Sequence, residues 1–173
     1  AWVEVAALNT GLGGHGAASV GDVIFVVGGT ESWPTGLSSV EALDLSVDGG
    51  RWEEKAPMPT ARYSLAVAAS GTKLFAVGGY DDTNWPQGDE YLDTLEIYES
   101  ATDSWSAAAP MPTARQYLAA AIVGNTLFAL GGRIPGGRND IDVVEAYDIE
   151  GGSWSAAEPM ATPRAFFGAV SGP

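Results

Sequence analysis

The 173-residue chain contains no cysteine, which excludes disulfides, thiolate catalysis and Cys-based zinc sites. Its single histidine, His15, rules out a multi-histidine zinc or copper centre within one copy. Cationic residues are scarce: 8 Lys and Arg stand against 22 Asp and Glu, a formal charge of -14. That field repels phosphate backbones and anionic lipid, so it argues against nucleic acid and membrane partners. Polypeptides, neutral sugars and carboxylate ligands held by local arginines remain compatible with it. No apolar run approaches 18 residues, and no basic segment leads into a hydrophobic one at the start. Helical patterning is missing too. Ala-rich pieces such as Ala107-Ala108-Ala109 are cut by Pro110 and hold no 3.6-residue period. Neither a Gly-x-Ser-x-Gly elbow nor a Walker phosphate loop occurs. Gly11-Leu12-Gly13-Gly14 lacks the strand–turn–helix setting of a dinucleotide site.

What the chain does have is one unit repeated three times. Met58-Pro59-Thr60-Ala61-Arg62 returns as Met111-Pro112-Thr113-Ala114-Arg115 and, more loosely, as Met160-Ala161-Thr162-Pro163-Arg164. Gly28-Gly29, Gly78-Gly79 and Gly131-Gly132 form a second series, and Trp52, Trp105 and Trp154 a third. A period of about fifty residues made of several short apolar runs belongs to a β-propeller blade, not a helical solenoid. Within each unit an Ala- and Ser-rich run, a tight turn and a larger apolar run predict a hairpin. These are Ala17–Val20 with Val23–Val27, Tyr63–Ala69 with Leu74–Val77, and Leu118–Val123 with Thr126–Leu130. Small residues suit a strand crowded at a central axis; bulky ones fill the space between diverging blades. Third strands follow near Val40–Leu45, Leu95–Tyr98 and Val143–Tyr147, and fourth strands centre on the three Trp residues.

The double glycine followed by a spaced Tyr and Trp resembles the kelch repeat family. Gly78-Gly79, Tyr98 and Trp105 carry the resemblance in one copy, and Gly131-Gly132, Tyr147 and Trp154 in the next. The first copy supplies Gly28-Gly29 and Trp52 but has Leu43 at the Tyr position. The resemblance implies an all-β kelch-type β-propeller with four-stranded antiparallel blades around a channel. Blades are expected at about 15–54, 62–107 and 115–156, all in one kelch-repeat segment spanning 1–173. End strands are expected at about 2–5 and 164–171. Complete propellers usually need four to eight blades, so three arrangements stay open. The chain is part of a longer propeller, pairs with a second copy to close a ring, or forms an open or swapped arc.

Arg62, Arg115 and Arg164 open successive first strands, with His15 read as their counterpart in the first copy. Such a ring of basic groups near the channel mouth suits a carboxylate or an acidic peptide. Glu41, Glu96 and Glu145 recur at the same period on third strands, so an internal Arg–Glu pair in each blade is the competing expectation. Guanidiniums free in a pocket favour the first reading; pairs with these glutamates favour the second. Loops between second and third strands differ most between copies, and such loops usually carry specificity. They hold Trp33 and Trp85, outside the repeating Trp series and suited to stacking on a sugar or anchoring a peptide. Asp81-Asp82 and Asp89-Glu90 do not match an EF-hand loop and read as solvated. No catalytic residue, metal or cofactor is expected. The leading functional expectation is a non-catalytic protein- or peptide-binding scaffold module, with a second copy of itself among the candidate partners. A carbohydrate-binding protein or carbohydrate-active enzyme is the alternative. A piece of a larger propeller without a separate function is the third.

Overall fold

A computed structural model describes residues 6–32, 35–48, 50–84, 88–137 and 139–170. The expected strand at 2–5, together with Trp33 and Trp85, lies outside these residues.

The smallest unit is a hairpin turned by glycine. Gly21, Gly71 and Gly124 adopt left-handed φ values of 57°, 58° and 58°, which two-residue hairpin turns require. In the first blade β1 (Gly16–Val20), β2 (Val23–Val27), β3 (Val40–Asp44) and β4 (Trp52–Glu54) pair antiparallel in that order. The second blade contains β5 (Ala66–Ser70) and β6 (Lys73–Val77). A side hairpin of β7 (Tyr80–Asn84) and β8 (Gly88–Tyr91) follows, before β9 (Leu95–Glu99) and β10 (Ser104–Ala107) complete the sheet. In the third, β11 (Ala119–Val123) and β12 (Thr126–Leu130) pair with β15 (Val144–Asp148) and β16 (Ser153–Ala156). A short hairpin of β13 (Arg133–Ile134) and β14 (Asn139–Asp140) stands between them. Two of the three variable loops are therefore hairpins rather than irregular chain. Aromatic cross-strand packing supports the longer one, with Tyr80 and Tyr91 edge to face at 5.3 Å.

Inner strands converge: β1 lies against β5, and β5 against β11. Space there is tight enough that a Cβ on Gly16 would overlap Val67, which explains the Ala- and Ser-rich composition. Outward from the axis the blades stack face to face through two apolar clusters. Leu74 and Ala76 of β6 face the first blade, meeting Phe25, Val27 and Val40. Phe75 and Val77, on the opposite face of the same strand, meet Leu118, Leu127 and Tyr147 towards the third blade. These four β6 side chains are 0% exposed. The middle blade is thus buried on both sides, which is why its strand reads as a continuous apolar run.

The described residues make an open arc of three four-stranded blades, an all-β partial propeller. Residues 164–170, expected as a further first strand, carry no strand assignment. They keep backbone bonds to the third blade, through Gly132 N–H to Arg164 O at 2.9 Å and Phe166 N–H to Tyr117 O at 3.0 Å.

Candidate functional site

Each double glycine ties its blade to the start of the next repeat. The second glycine donates its N–H to the carbonyl at the arginine position: Gly29 to Arg62 at 3.0 Å, Gly79 to Arg115 at 3.0 Å, Gly132 to Arg164 at 2.9 Å. The first glycine sits beneath that carbonyl. A Cβ on Gly78 would lie 2.6 Å from Arg115 O, and its φ of 60° is one that side chains disfavour.

That stitch carries Arg62 and Arg115 inward, not out to ligand. Both side chains are 0% exposed. Arg62 Nη1 donates to Glu96 Oε2 at 2.7 Å, and Nη2 to the Ala76 carbonyl at 3.2 Å. Arg115 repeats this with Glu145 at 2.8 Å and the Ala129 carbonyl at 3.1 Å. Thr60 and Thr113 hydroxyls take the other oxygen of each carboxylate, at 2.8 Å in both blades. Burial pulls both guanidinium pKa values down, and the facing glutamate opposes that shift. Neither arginine offers a surface to a carboxylate ligand.

The first and last members of the two series differ. Gly14, Ser64, Tyr117 and Phe166 share a left-handed φ of 64°, 57°, 56° and 58°. They are linked in sequence by N–H to carbonyl bonds, Ser64 to Gly14 at 2.7 Å, Tyr117 to Ser64 at 2.9 Å and Phe166 to Tyr117 at 3.0 Å. This register puts Leu12, two residues before Gly14, at the arginine position of the first repeat. His15 is one residue past the link and matches Leu65 and Leu118, so the expected equivalence of His15 with the arginines is corrected. Proximity to the hairpin misled the alignment: β1 starts directly after His15, whereas β5 starts four residues after Arg62. His15 itself is exposed. Glu41 is buried without an arginine, and Arg164 is exposed, its guanidinium 6.0 Å from the Phe167 ring centroid.

Around the link residues lies an aromatic and cationic platform. Tyr117 and Phe166 stack with centroids 3.7 Å apart and planes 26° from parallel. Arg133 of β13 lies over both, 5.1 Å from the Phe166 ring and 5.8 Å from Tyr117, distances at which a guanidinium is attracted by a ring face. Asp140 of β14 accepts from Arg133 Nε at 2.7 Å and raises its pKa. Phe166 is nevertheless 63% exposed. His15, Ser64, Leu65 and Leu118 border the same shallow depression. Beside it, Tyr63 and Tyr80 pack at 5.5 Å, and buried Asp82 accepts the Gly36 N–H at 3.1 Å.

A family model described as the kelch motif matches residues 11–59, 61–112 and 114–161. The chain belongs to the kelch-repeat family. It is 34% identical over 127 residues to kelch-like protein terF of Aspergillus terreus, covering 68% of the chain and 26% of that protein. Beta-scruin of Limulus polyphemus is 27% identical over 135 residues, 78% of the chain and 14% of the relative. Kelch-like protein 35 of Mus musculus is 29% identical over 133 residues, 76% and 21% respectively. The chain therefore matches about a quarter or less of the length of these relatives.

The kelch aromatics of the second and third repeats lie between blades. Trp52, Trp105 and Trp154 donate their indole N–H to the carbonyls of Ala6, Ala56 and Ala109, at 2.9, 2.8 and 2.8 Å. Tyr98 and Trp105 pack at 5.2 Å against the first blade's cluster, and Tyr147 and Trp154 at 5.2 Å against the second's. Leu43 stands cross-strand from Trp52, as Tyr98 does from Trp105. The Tyr98 hydroxyl and the Ala56 N–H both donate to Asp103 Oδ1, at 2.7 and 2.8 Å, and lower its pKa. Among the described residues no group of three or more His, Asp or Glu is placed to hold a metal ion. Sequence reading missed Arg133, Tyr117 and Phe166 as a group. The two aromatics do share a phase in the repeat, two residues after Arg115 and Arg164, and that phase was the available signal.

Proposed function

We propose that this kelch segment is a non-catalytic module that binds a protein or peptide on the loop-bearing face around the channel mouth. The reading is carried by the Tyr117–Phe166 stack beneath Arg133, a rigid aromatic surface left open at Phe166. Aromatic and arginine side chains of this kind dominate binding energy at protein interfaces. Both aromatics hold left-handed φ values, which are strained for bulky residues and cluster at functional positions. The chain's net charge of -14 favours a partner with cationic character. The sugar alternative loses its carboxylate-binding arginines to Glu96 and Glu145.

Peptides selected from a random display library against the wild-type chain provide the test. Phe166→Ala and Tyr117→Ser, the latter taking the residue at the equivalent position in the preceding repeat, should each weaken the selected peptides by about tenfold or more. Both should leave the thermal midpoint near that of the wild type. Selected peptides that bind these variants as tightly as the wild type, by titration calorimetry, overturn the assignment of this face.

A further inference from the structure

Leu12 leaves Glu41 without the guanidinium that its two counterparts hold. Glu96 and Glu145 each have one oxygen on an arginine and the other on a threonine. Glu41 is buried to the same degree, 5% exposed against 3% and 4%. Its bond is a long one, from the Asn9 N–H to Oε2 at 3.3 Å, and Oε1 has no donor among the described residues. Thr10 precedes Leu12 by two residues, as Thr60 precedes Arg62, yet makes no bond to Glu41. Neither Glu41 oxygen is among the fully buried polar atoms that lack a partner, so the carboxylate reaches the open space beside it.

The carboxylate lines an open cavity of about 400 Å³ at the end of the first blade that carries the loop between β2 and β3. Thr10, Glu31, Leu37 and Glu54 share the lining, together with Lys55. Lys55 makes no ion pair with Glu41; its Nζ contacts Glu53 Oε2 at 2.9 Å. We propose that this cavity is a guanidinium site, taking an arginine side chain presented by another polypeptide. The fold answers the same glutamate twice with this chemistry: Nη1 on the carboxylate and Nη2 on a strand carbonyl. A planar, multi-donor group meets both acceptors at once, which a compact ammonium does not. Glu31, Glu54 and the chain's net charge of -14 add attraction for a cation on approach. The site shares a face with the peptide-binding reading but uses none of Tyr117, Arg133 or Phe166.

The probe is an acetylated, amidated Gly-Arg-Gly tripeptide, compared with its lysine and citrulline counterparts by NMR titration of the full chain. The arginine peptide should saturate at millimolar concentration, the lysine peptide should bind about tenfold more weakly, and the uncharged citrulline peptide should not bind. Glu41→Gln should weaken the arginine peptide by about tenfold or more. Leu12→Arg, which restores the internal partner, should block it and raise the Tm. Should Glu41→Gln fail to fold, Leu12→Arg carries the test alone. Phe166→Ala should leave tripeptide binding unchanged, which separates this site from the face proposed above. Light scattering of wild type and Arg164→Gln distinguishes the sources: self-association abolished by both the substitution and the tripeptide assigns the arginine to a second copy. Equal binding of all three peptides, no saturable binding, or undiminished binding to Leu12→Arg overturns the proposal.

Discussion

Arg115 is held at 0% exposure by one carboxylate contact and one carbonyl contact, and its Nε has no acceptor among the described residues. Such a pair adds little net stability over well-packed apolar residues, but breaking it strands a buried charge. Arg115→Met should lower the free energy of unfolding by about 3–5 kcal/mol. The double variant Arg115→Met/Glu145→Met should recover much of that loss. Urea denaturation of both variants checks the expectation; a double variant no more stable than the single one contradicts it. The Arg and Glu series were visible at blade period in the sequence, as were the two readings they permit. The choice between those readings depended on where the side chains point. Leu12 escaped notice because nothing in Leu12-Gly13-Gly14-His15 marks which residue takes the left-handed link.

At the level of the element, the two-glycine step is the joint that sets one blade against the next. Gly78 and Gly79 adopt φ values of 60° and 112°, and the Gly79 N–H reaches across to Arg115 O at 3.0 Å. Gly78→Ala places a Cβ against that same carbonyl at 2.6 Å, and a carbonyl fixed by a hydrogen bond has little room to move. The expected loss is about 1–3 kcal/mol from backbone strain, with the clash adding to it. A fall in Tm relative to Gly71→Ala separates the two effects, because a Cβ at Gly71 meets nothing within 4 Å while its φ is 58°. Equal losses at the two positions would remove the clash from the account. Strands and turns were largely readable, since short apolar runs bounded by Gly-containing turns are local signals. The hairpins of β7–β8 and β13–β14 were not. Polar residues fill them, and their pairing depends on the platform that the blades provide.

Across the whole molecule, burial is graded by position in the arc. The middle blade packs on both faces through Leu74 and Phe75, while the outer blades each pack on one. Hydrogen exchange should therefore be slowest for amides of β6 and β9, and faster in β4, in β16 and in residues 164–170. Mass spectrometry on the intact chain measures this, and the slowest exchange in the first blade would contradict radial stacking as the source of stability.

The amino-acid sequence on its own determined the repeat, its period, the hairpin as the local unit and the kelch resemblance. It also ruled out thiolate chemistry, by having no cysteine. These are properties of composition and spacing, and they survive without knowing where any side chain points. Tertiary structure alone decided that two arginines are spent on buried glutamates. It also decided that a third glutamate is left facing a cavity, and that Tyr117, Phe166 and Arg133 meet in one platform. The reason is physical: each of these depends on contacts between residues roughly 15 to 50 positions apart, brought together only when neighbouring strands and blades stack.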